Sequence, residues 1–148
     1  MEKTNVKIKK LDPKAKIPTY GSPYAAGADL YACSDEKIEF LPHETKLIKT
    51  GIAIELPEGL CALIYARSGL ATKRSLAPAN KVGVVDCDYR GEIMVSLHNH
   101  SGKTQSIEPF ERIAQMVIAP YIPAQFEEVE NLSETVRGEG GFGSTGTK

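Results

Sequence analysis

Apolar and polar residues alternate in short runs along the chain: Val6-Lys7-Ile8-Lys9, Ile38-Glu39-Phe40, and residues 52–56, 92–97 and 112–118. A period of two over such short, often β-branched spans predicts half-buried strands. Residues 60–65 form an apolar strand, and 83–85 run as a strand into a tight turn. Turn chemistry separates these runs at Asp12-Pro13, Gly21-Ser22-Pro23, Leu41-Pro42, Leu56-Pro57-Glu58-Gly59, Ser101-Gly102-Lys103 and Glu108-Pro109. Many short strands with regular turns imply an all-β barrel or sandwich. One segment departs from the pattern. Residues 68–76 place Leu and Ala at helical spacing, and Pro78 is expected to stop the single short helix they form.

Length and composition narrow the picture. The chain has 148 residues, 41% hydrophobic and 25% charged, which suits one soluble domain able to bury about two thirds of its unfolded surface. Its 18 basic and 19 acidic residues leave a net charge of -1, so no overall pull toward nucleic acid or an anionic membrane exists. The densest basic stretch holds Lys3, Lys7, Lys9, Lys10, Lys14 and Lys16. It lacks interleaved aromatic residues and reads as a solvated strand face. Cys33, Cys61 and Cys87 form no CxxC pair, which fits a reducing compartment. No stretch approaches the ~18 apolar residues of a membrane span. A cytoplasmic location is expected, or a nuclear one in a eukaryote.

The C-terminal stretch is unlike the rest. Residues 127–134 carry Glu127, Glu128, Glu130 and Glu134 with no basic residue, and 138–146 hold five of the 13 glycines. Such a segment cannot build core, so residues 1–136 are expected to form the domain and 137–148 an arm that is mobile on its own. Gly138, Gly143, Ser144 and Thr145 echo the glycine spacing of a phosphate-binding P-loop, but serine stands at the lysine position and no helix can follow. Arg137, the two hydroxyls and the glycine amides could still wrap an anion, and Phe142 could stack on a base. The alternative is a disordered terminus.

Four other stretches carry candidate chemistry. Arg67-Ser68-Gly69 lies where the apolar strand meets the expected helix, so either its amides and guanidinium meet an anion or Ser68 simply caps the helix. Asp86 follows Gly83-Val84-Val85 and is placed to act as a general base at a strand end. Asp88 reads as a turn former, with an Asp86/Asp88 metal pair as the alternative. Asp29 sits in a small-residue stretch, and Arg112 and Gln115 lie on an apolar strand. His43, His98 and His100 lack metal-ligand spacing.

Taken in order, Ala26-Gly27-Ala28-Asp29-Leu30, Arg67-Ser68-Gly69-Leu70-Ala71, residues 80–91, Arg112-Ile113-Ala114-Gln115 and residues 137–146 resemble the five motifs of the homotrimeric dUTPases. Ala66 departs from the proline usual before the second motif. The resemblance implies a jelly-roll-like β-barrel (β-clip) and a homotrimer with active sites shared among subunits. It also implies Mg²⁺-dependent hydrolysis of dUTP to dUMP and pyrophosphate, which keeps uracil out of DNA and supplies dUMP for thymidylate synthesis. It makes Asp86 the base that activates water against the α-phosphorus, and Tyr89 the barrier to a 2′-hydroxyl. Asn80 and the backbone at Val84 and Val85 meet uracil, with Met94 lining the same pocket. Arg67, Ser68, Gly69 and Gln115 hold phosphates, and Arg137, Phe142, Gly143, Ser144 and Thr145 close the site. Asp29 acts on the metal through water.

Two rivals stand beside this reading. A deoxycytidine triphosphate deaminase shares the implied fold but releases ammonia, and a bifunctional enzyme is its variant. A catalytically silent β-barrel binding module is the other, against which the base-like Asp86 and the glycine-rich arm both argue.

Overall fold

Alternation along the chain becomes antiparallel pairing throughout the computed structural model, which describes residues 3–142. The strands are β1 (Lys7–Lys10), β2 (Thr19–Tyr20), β3 (Ala28–Tyr31), β4 (Ile38–Phe40), β5 (Thr45–Lys49), β6 (Ile52–Glu55) and β7 (Leu60–Tyr65), followed by helix α1 (Ser68–Arg74). Strands β8 (Leu76–Pro78), β9 (Gly83–Val85), β10 (Met94–Asn99), β11 (Gln105–Ile107) and β12 (Arg112–Pro120) complete the order. They divide into a five-stranded sheet ordered β2-β3-β12-β7-β9, a three-stranded sheet β5-β10-β8, and the pairs β1-β6 and β11-β4. The architecture is the expected jelly-roll type, all-β with a single helix among the described residues. Its sheets face one another without one continuous ladder closing the cylinder.

Side chains from every sheet meet in one core, where Leu30, Phe40, Ile52, Leu76, Ile93, Leu97, Ile107 and Ile113 are fully buried. These belong to the apolar phase of the alternating runs, so burial of this one face is what fixes register. Asn99 is also fully buried. Its amide donates to the carbonyls of Phe40, Leu41 and Lys103, and its oxygen accepts from Ser101, so it holds the turn after β10 to the edge of β4. A buried side-chain amide with all its partners is inexpensive, whereas one left unpaired is not.

The helix is shorter than its sequence pattern. It ends because Ser75 takes a left-handed conformation, φ 55°, and Leu76 then turns into the core as the first residue of β8. Pro78 therefore lies in a strand and does not stop the helix. Arg74, in the last turn, pairs with Glu111 and donates to the Ser106 carbonyl at 2.7 Å, tying the helix to the loop before β12.

The lysine-rich start behaves as a solvated face: β1 is exposed along its length, and Lys7 pairs with Glu55 of β6 at 2.8 Å. Beyond β12, the amide of Tyr121 still donates to the Gly59 carbonyl at 3.1 Å, and residues 122–142 then join no strand or helix. Ile122, Phe126, Leu132, Val136 and Phe142 are all exposed on that stretch. Among the described residues, no helix is long and apolar enough to cross a membrane.

Candidate functional site

A strand alternates only while its ladder is regular, and β12 is not. Arg112 pairs with Tyr31 but Ala114 pairs with Leu30, so Ile113 is an extra residue opposite β3. Ile113 and Ala114 are consecutively buried, as a bulge allows. The bulge turns Arg112 to the face that carries Gln115, directly across from Asp29.

Asp29 is the centre of that face. It is only 8% exposed, yet it is fully partnered: Arg67 Nε donates to Oδ1 at 2.7 Å and Arg112 donates to Oδ2 at 3.1 Å. Arg67 immediately precedes α1 in an extended conformation, without a side-chain cap, so Ser68 does not cap the helix. The first intrahelical bond runs from the Ala71 amide to the Arg67 carbonyl. The amides of Ser68, Gly69 and Leu70 are left without helical partners, as at any helix start. Gln115 lies between Asp29 and Tyr65 in the sheet, and its amide nitrogen donates to the Ala66 carbonyl at 2.9 Å. Gly27 passes close above it: a Cβ there would sit 2.5 Å from Gln115 Oε1. Glycine at this position is a matter of space.

The second cluster forms on the connection from β9 to β10, which passes from the five-stranded sheet to the three-stranded one. Its cavity, about 280 Å³, is lined by Asn80, Val84, Val85, Asp86, Tyr89 and Met94, with Leu47, Glu92 and Ser96 among the other walls. The turn itself is tight, since the Tyr89 amide donates to the Asp86 carbonyl at 3.2 Å and Arg90 reaches back to the Cys87 carbonyl at 2.6 Å. A shallower depression lies behind the turn, lined by Leu56, Glu58, Asp86, Cys87, Asp88, Arg90 and Tyr121. Asp86 thus borders both hollows. Within the second, a hydrogen bond to the Cys87 thiol pushes the Tyr121 hydroxyl above its usual pKa.

The structure thus brings Asp86 together with all of the expected base and sugar residues except Phe142. It gathers Asp29, Arg67, Ser68, Gly69 and Gln115 separately, and none of these lines the first cavity. Arg137 is exposed, and its Nε donates to the Gly140 carbonyl at 2.7 Å. Phe142 is exposed and touches neither cluster. Gly143, Ser144 and Thr145 lie outside the described residues. Leu47 and Glu92 were not singled out by the sequence, and Gly27 and Arg112 stood in candidate stretches without an assigned role. The only sequence signals were a small residue two before Asp29 and an arginine three before Gln115.

A resident metal cage is absent among the described residues, where no three His, Cys, Asp or Glu side chains converge. Asp29, with both oxygens already accepting from arginines, suits contact through water with a cation that arrives on a phosphate chain. Mg²⁺ is often held in this way, with substrate phosphates and waters supplying most ligands.

Comparison with known proteins places these two clusters in context. A family model described as dUTPase matches residues 13–146. The deoxyuridine 5'-triphosphate nucleotidohydrolase of Pectobacterium carotovorum is 47% identical, over 99% of this chain and 98% of that relative. Its namesake from Acinetobacter baumannii is also 47% identical, covering 95% and 97%. Among solved structures, the Staphylococcus bacteriophage 80alpha dUTPase with dUPNHPP is 28% identical, with a TM-score of 0.88 over 98% of this chain and all of that one. A phage phi11 dUTPase of S. aureus, described with a structural Mg(II) ion, shares the fold at 24% identity, with a TM-score of 0.77 over 86% of this chain and 98% of that one.

Proposed function

The chain belongs to the dUTPase family, and on that premise we propose that it hydrolyses dUTP to dUMP and pyrophosphate by water attack on the α-phosphorus, with Asp86 as the base. The enzyme is a dUTP diphosphatase. The observation that carries the catalytic assignment is the first cavity, a partly apolar hollow with two carboxylates, Asp86 and Glu92, one amide and one aromatic ring on its walls, of which the Glu92 carboxylate is already engaged by the Gly51 amide. A small pocket of this kind selects by shape and by the few polar groups it orients.

Uracil enters between Asn80 and the backbone of Val84 and Val85, where the narrow walls reject the methyl group of thymine, and Met94 lines the same pocket. The deoxyribose packs on Tyr89, which leaves no room for a 2′-hydroxyl. Asp86 accepts a proton from the attacking water, so that hydroxide character develops in line with the leaving pyrophosphate. Phosphoryl transfer asks little covalent chemistry of the protein and much positioning and charge neutralisation. Arg67, Ser68, Gly69 and Gln115 supply the phosphate grip, and Asp29 keeps the Arg67 guanidinium aimed. When bound with the triphosphate, Mg²⁺ would supply further neutralisation, and Asp29 would act on it through water. Arg137, Phe142, Gly143, Ser144 and Thr145 of the arm 137–148 close over the base and phosphates, excluding water.

The base cavity and the phosphate cluster are separate within one chain, which supports a site assembled from more than one copy. The exposed apolar residues from Ile122 to Val136 support the same reading, since an unpaired stretch of this kind is suited to cover a neighbour. Together with the resemblance to the homotrimeric dUTPases, these features support our reading of the assembly as a homotrimer, and we place the protein in the cytoplasm on its lack of paired cysteines.

Incubation with each deoxynucleoside triphosphate, assaying both pyrophosphate and ammonia, tests the reaction. Pyrophosphate from dUTP alone supports it, ammonia from dCTP favours the deaminase, and no turnover returns the chain to a binding module. Sedimentation tests assembly against a mass of about 48 kDa, three times 16.1 kDa. Mixing an Asp86 variant with an Arg67 variant tests sharing: hybrid trimers regain activity only if the two residues serve one site from different subunits.

A further inference from the structure

The residue that excludes ribonucleotides must itself be held still, and the β9–β10 connection contains a seat for it. Tyr89 is half-exposed, and its ring lies against the backbone two residues later: a Cβ added to Gly91 would fall 2.5 Å from Tyr89 Cζ. Gly91 is not in the left-handed region that favours glycine, so an alanine there strains nothing in its own backbone. Only the ring stands in the way of a methyl group. At the ring's far end, the Tyr89 hydroxyl donates to the Glu92 carbonyl at 3.0 Å.

Glu92 is fixed in turn from its side chain. Its Oε1 accepts from the Gly51 amide at 2.9 Å. Gly51 is a rigid anchor, because it adopts φ +69° and is packed so tightly that a Cβ would meet Ala15 Cβ at 2.8 Å and Cys33 Sγ at 2.9 Å. The neighbouring backbone reinforces the tie, with the Ile93 amide donating to the Ile52 carbonyl at 2.8 Å and Thr50 Oγ1 donating to the Ile93 carbonyl at 2.5 Å. A chain of contacts therefore runs from the β5–β6 turn through the Glu92 carboxylate and carbonyl to the phenol, while the bare face of Gly91 receives the ring.

We propose that Gly91 and Glu92 are positioning residues for sugar selection: the first gives the Tyr89 ring its seat, and the second pins the ring's hydroxyl to the β5–β6 turn. This rests on the reading of Tyr89 as the barrier to the 2′-hydroxyl. Without the Glu92 carboxylate, the turn loses one hydrogen bond to a charged acceptor, and the ring gains freedom to swing. With a methyl at Gly91, the ring is lifted off its seat.

Steady-state kinetics with dUTP and UTP on Glu92→Ala, Glu92→Gln, Gly91→Ala and Tyr89→Ala test the proposal, with melting curves to confirm folding. Glu92→Ala is expected to narrow the preference for dUTP over UTP by about tenfold, the low end for one hydrogen bond to a charged group. Glu92→Gln keeps an acceptor oxygen and is expected to restore the preference. Gly91→Ala is expected to raise KM for dUTP several-fold, and it carries the test alone should Glu92→Ala fail to fold. Tyr89→Ala separates the two readings. If it admits UTP while Glu92→Ala and Gly91→Ala behave like the parent, the seat is overturned and the barrier stands. If Tyr89→Ala discriminates like the parent, both fall.

Discussion

Arg67 is aimed by Asp29, whose Oδ1 accepts from its Nε at 2.7 Å while Oδ2 accepts from Arg112 at 3.1 Å. The carboxylate is nearly buried and holds two cations to one face of the central sheet. Its charge therefore does structural and electrostatic work at once.

Asp29→Asn places an amide NH₂ against one of the two arginines and removes the charge both of them face. Stability is expected to fall by about 1–3 kcal/mol, the cost of leaving partly buried polar groups badly paired. KM for dUTP is expected to rise more than kcat falls. Thermal melts beside steady-state kinetics check this, and unchanged values on both would remove Asp29 from the phosphate side.

Asp86→Asn preserves the shape of the turn, because the Asp86 contact that closes it is made by its main-chain carbonyl. Nucleotide binding is expected to survive while turnover falls by about a hundredfold or more, the range for a lost general base. Calorimetric binding of a non-hydrolysable dUTP analogue beside rate measurements separates the two effects. Near-normal turnover would move the base elsewhere, to Asp88 first.

Gly27→Ala tests the close approach over Gln115. A methyl group would sit 2.5 Å from Oε1 and 3.1 Å from Cβ of that side chain, so Gln115 must shift and loosen its bond to the Ala66 carbonyl. A severalfold rise in KM for dUTP is expected, with the preference over UTP intact, since the base cavity is built elsewhere. Parent-like kinetics would show that Gln115 has room to spare.

Deletion from Arg137 onward leaves every strand among the described residues in place, because the last of these ends at Pro120. The shortened protein is expected to fold, assemble and bind nucleotide, yet turn over far more slowly. Phe142→Ala is expected to show a milder form of the same loss. Full activity in the deletion variant would return the arm to its reading as an inert terminus.

Strand content and the turn that bears Asp86 were legible because they rest on local rules. Alternation marked β4, β6, β10 and β12, and three apolar residues ahead of Asp86 marked the carboxylate at a strand end. Short strands such as β2, β8 and β11 carry too few residues for a period to show, and tertiary pairing alone makes them. Helix α1 was found but overextended, because Leu76 suits the apolar phase of a helix as well as that of a strand, and no sequence rule placed Ser75 in the left-handed region. The Asp29–Arg112 bond spans 83 positions and depends on one extra residue in β12, which leaves no mark on composition or spacing.

That extra residue sets the sheet's own interest against the core's. Removing Ile113 would give β12 and β3 an unbroken ladder, and by pairing alone a better sheet. Arg112 would still stand opposite Tyr31, on the face of β3 that carries Asp29, but a fully buried side chain would be gone from the core. A search for stabilising changes guided only by regularity would choose this edit and open a void, so the irregular point in the sheet is where regular pairing is a poor guide to stability.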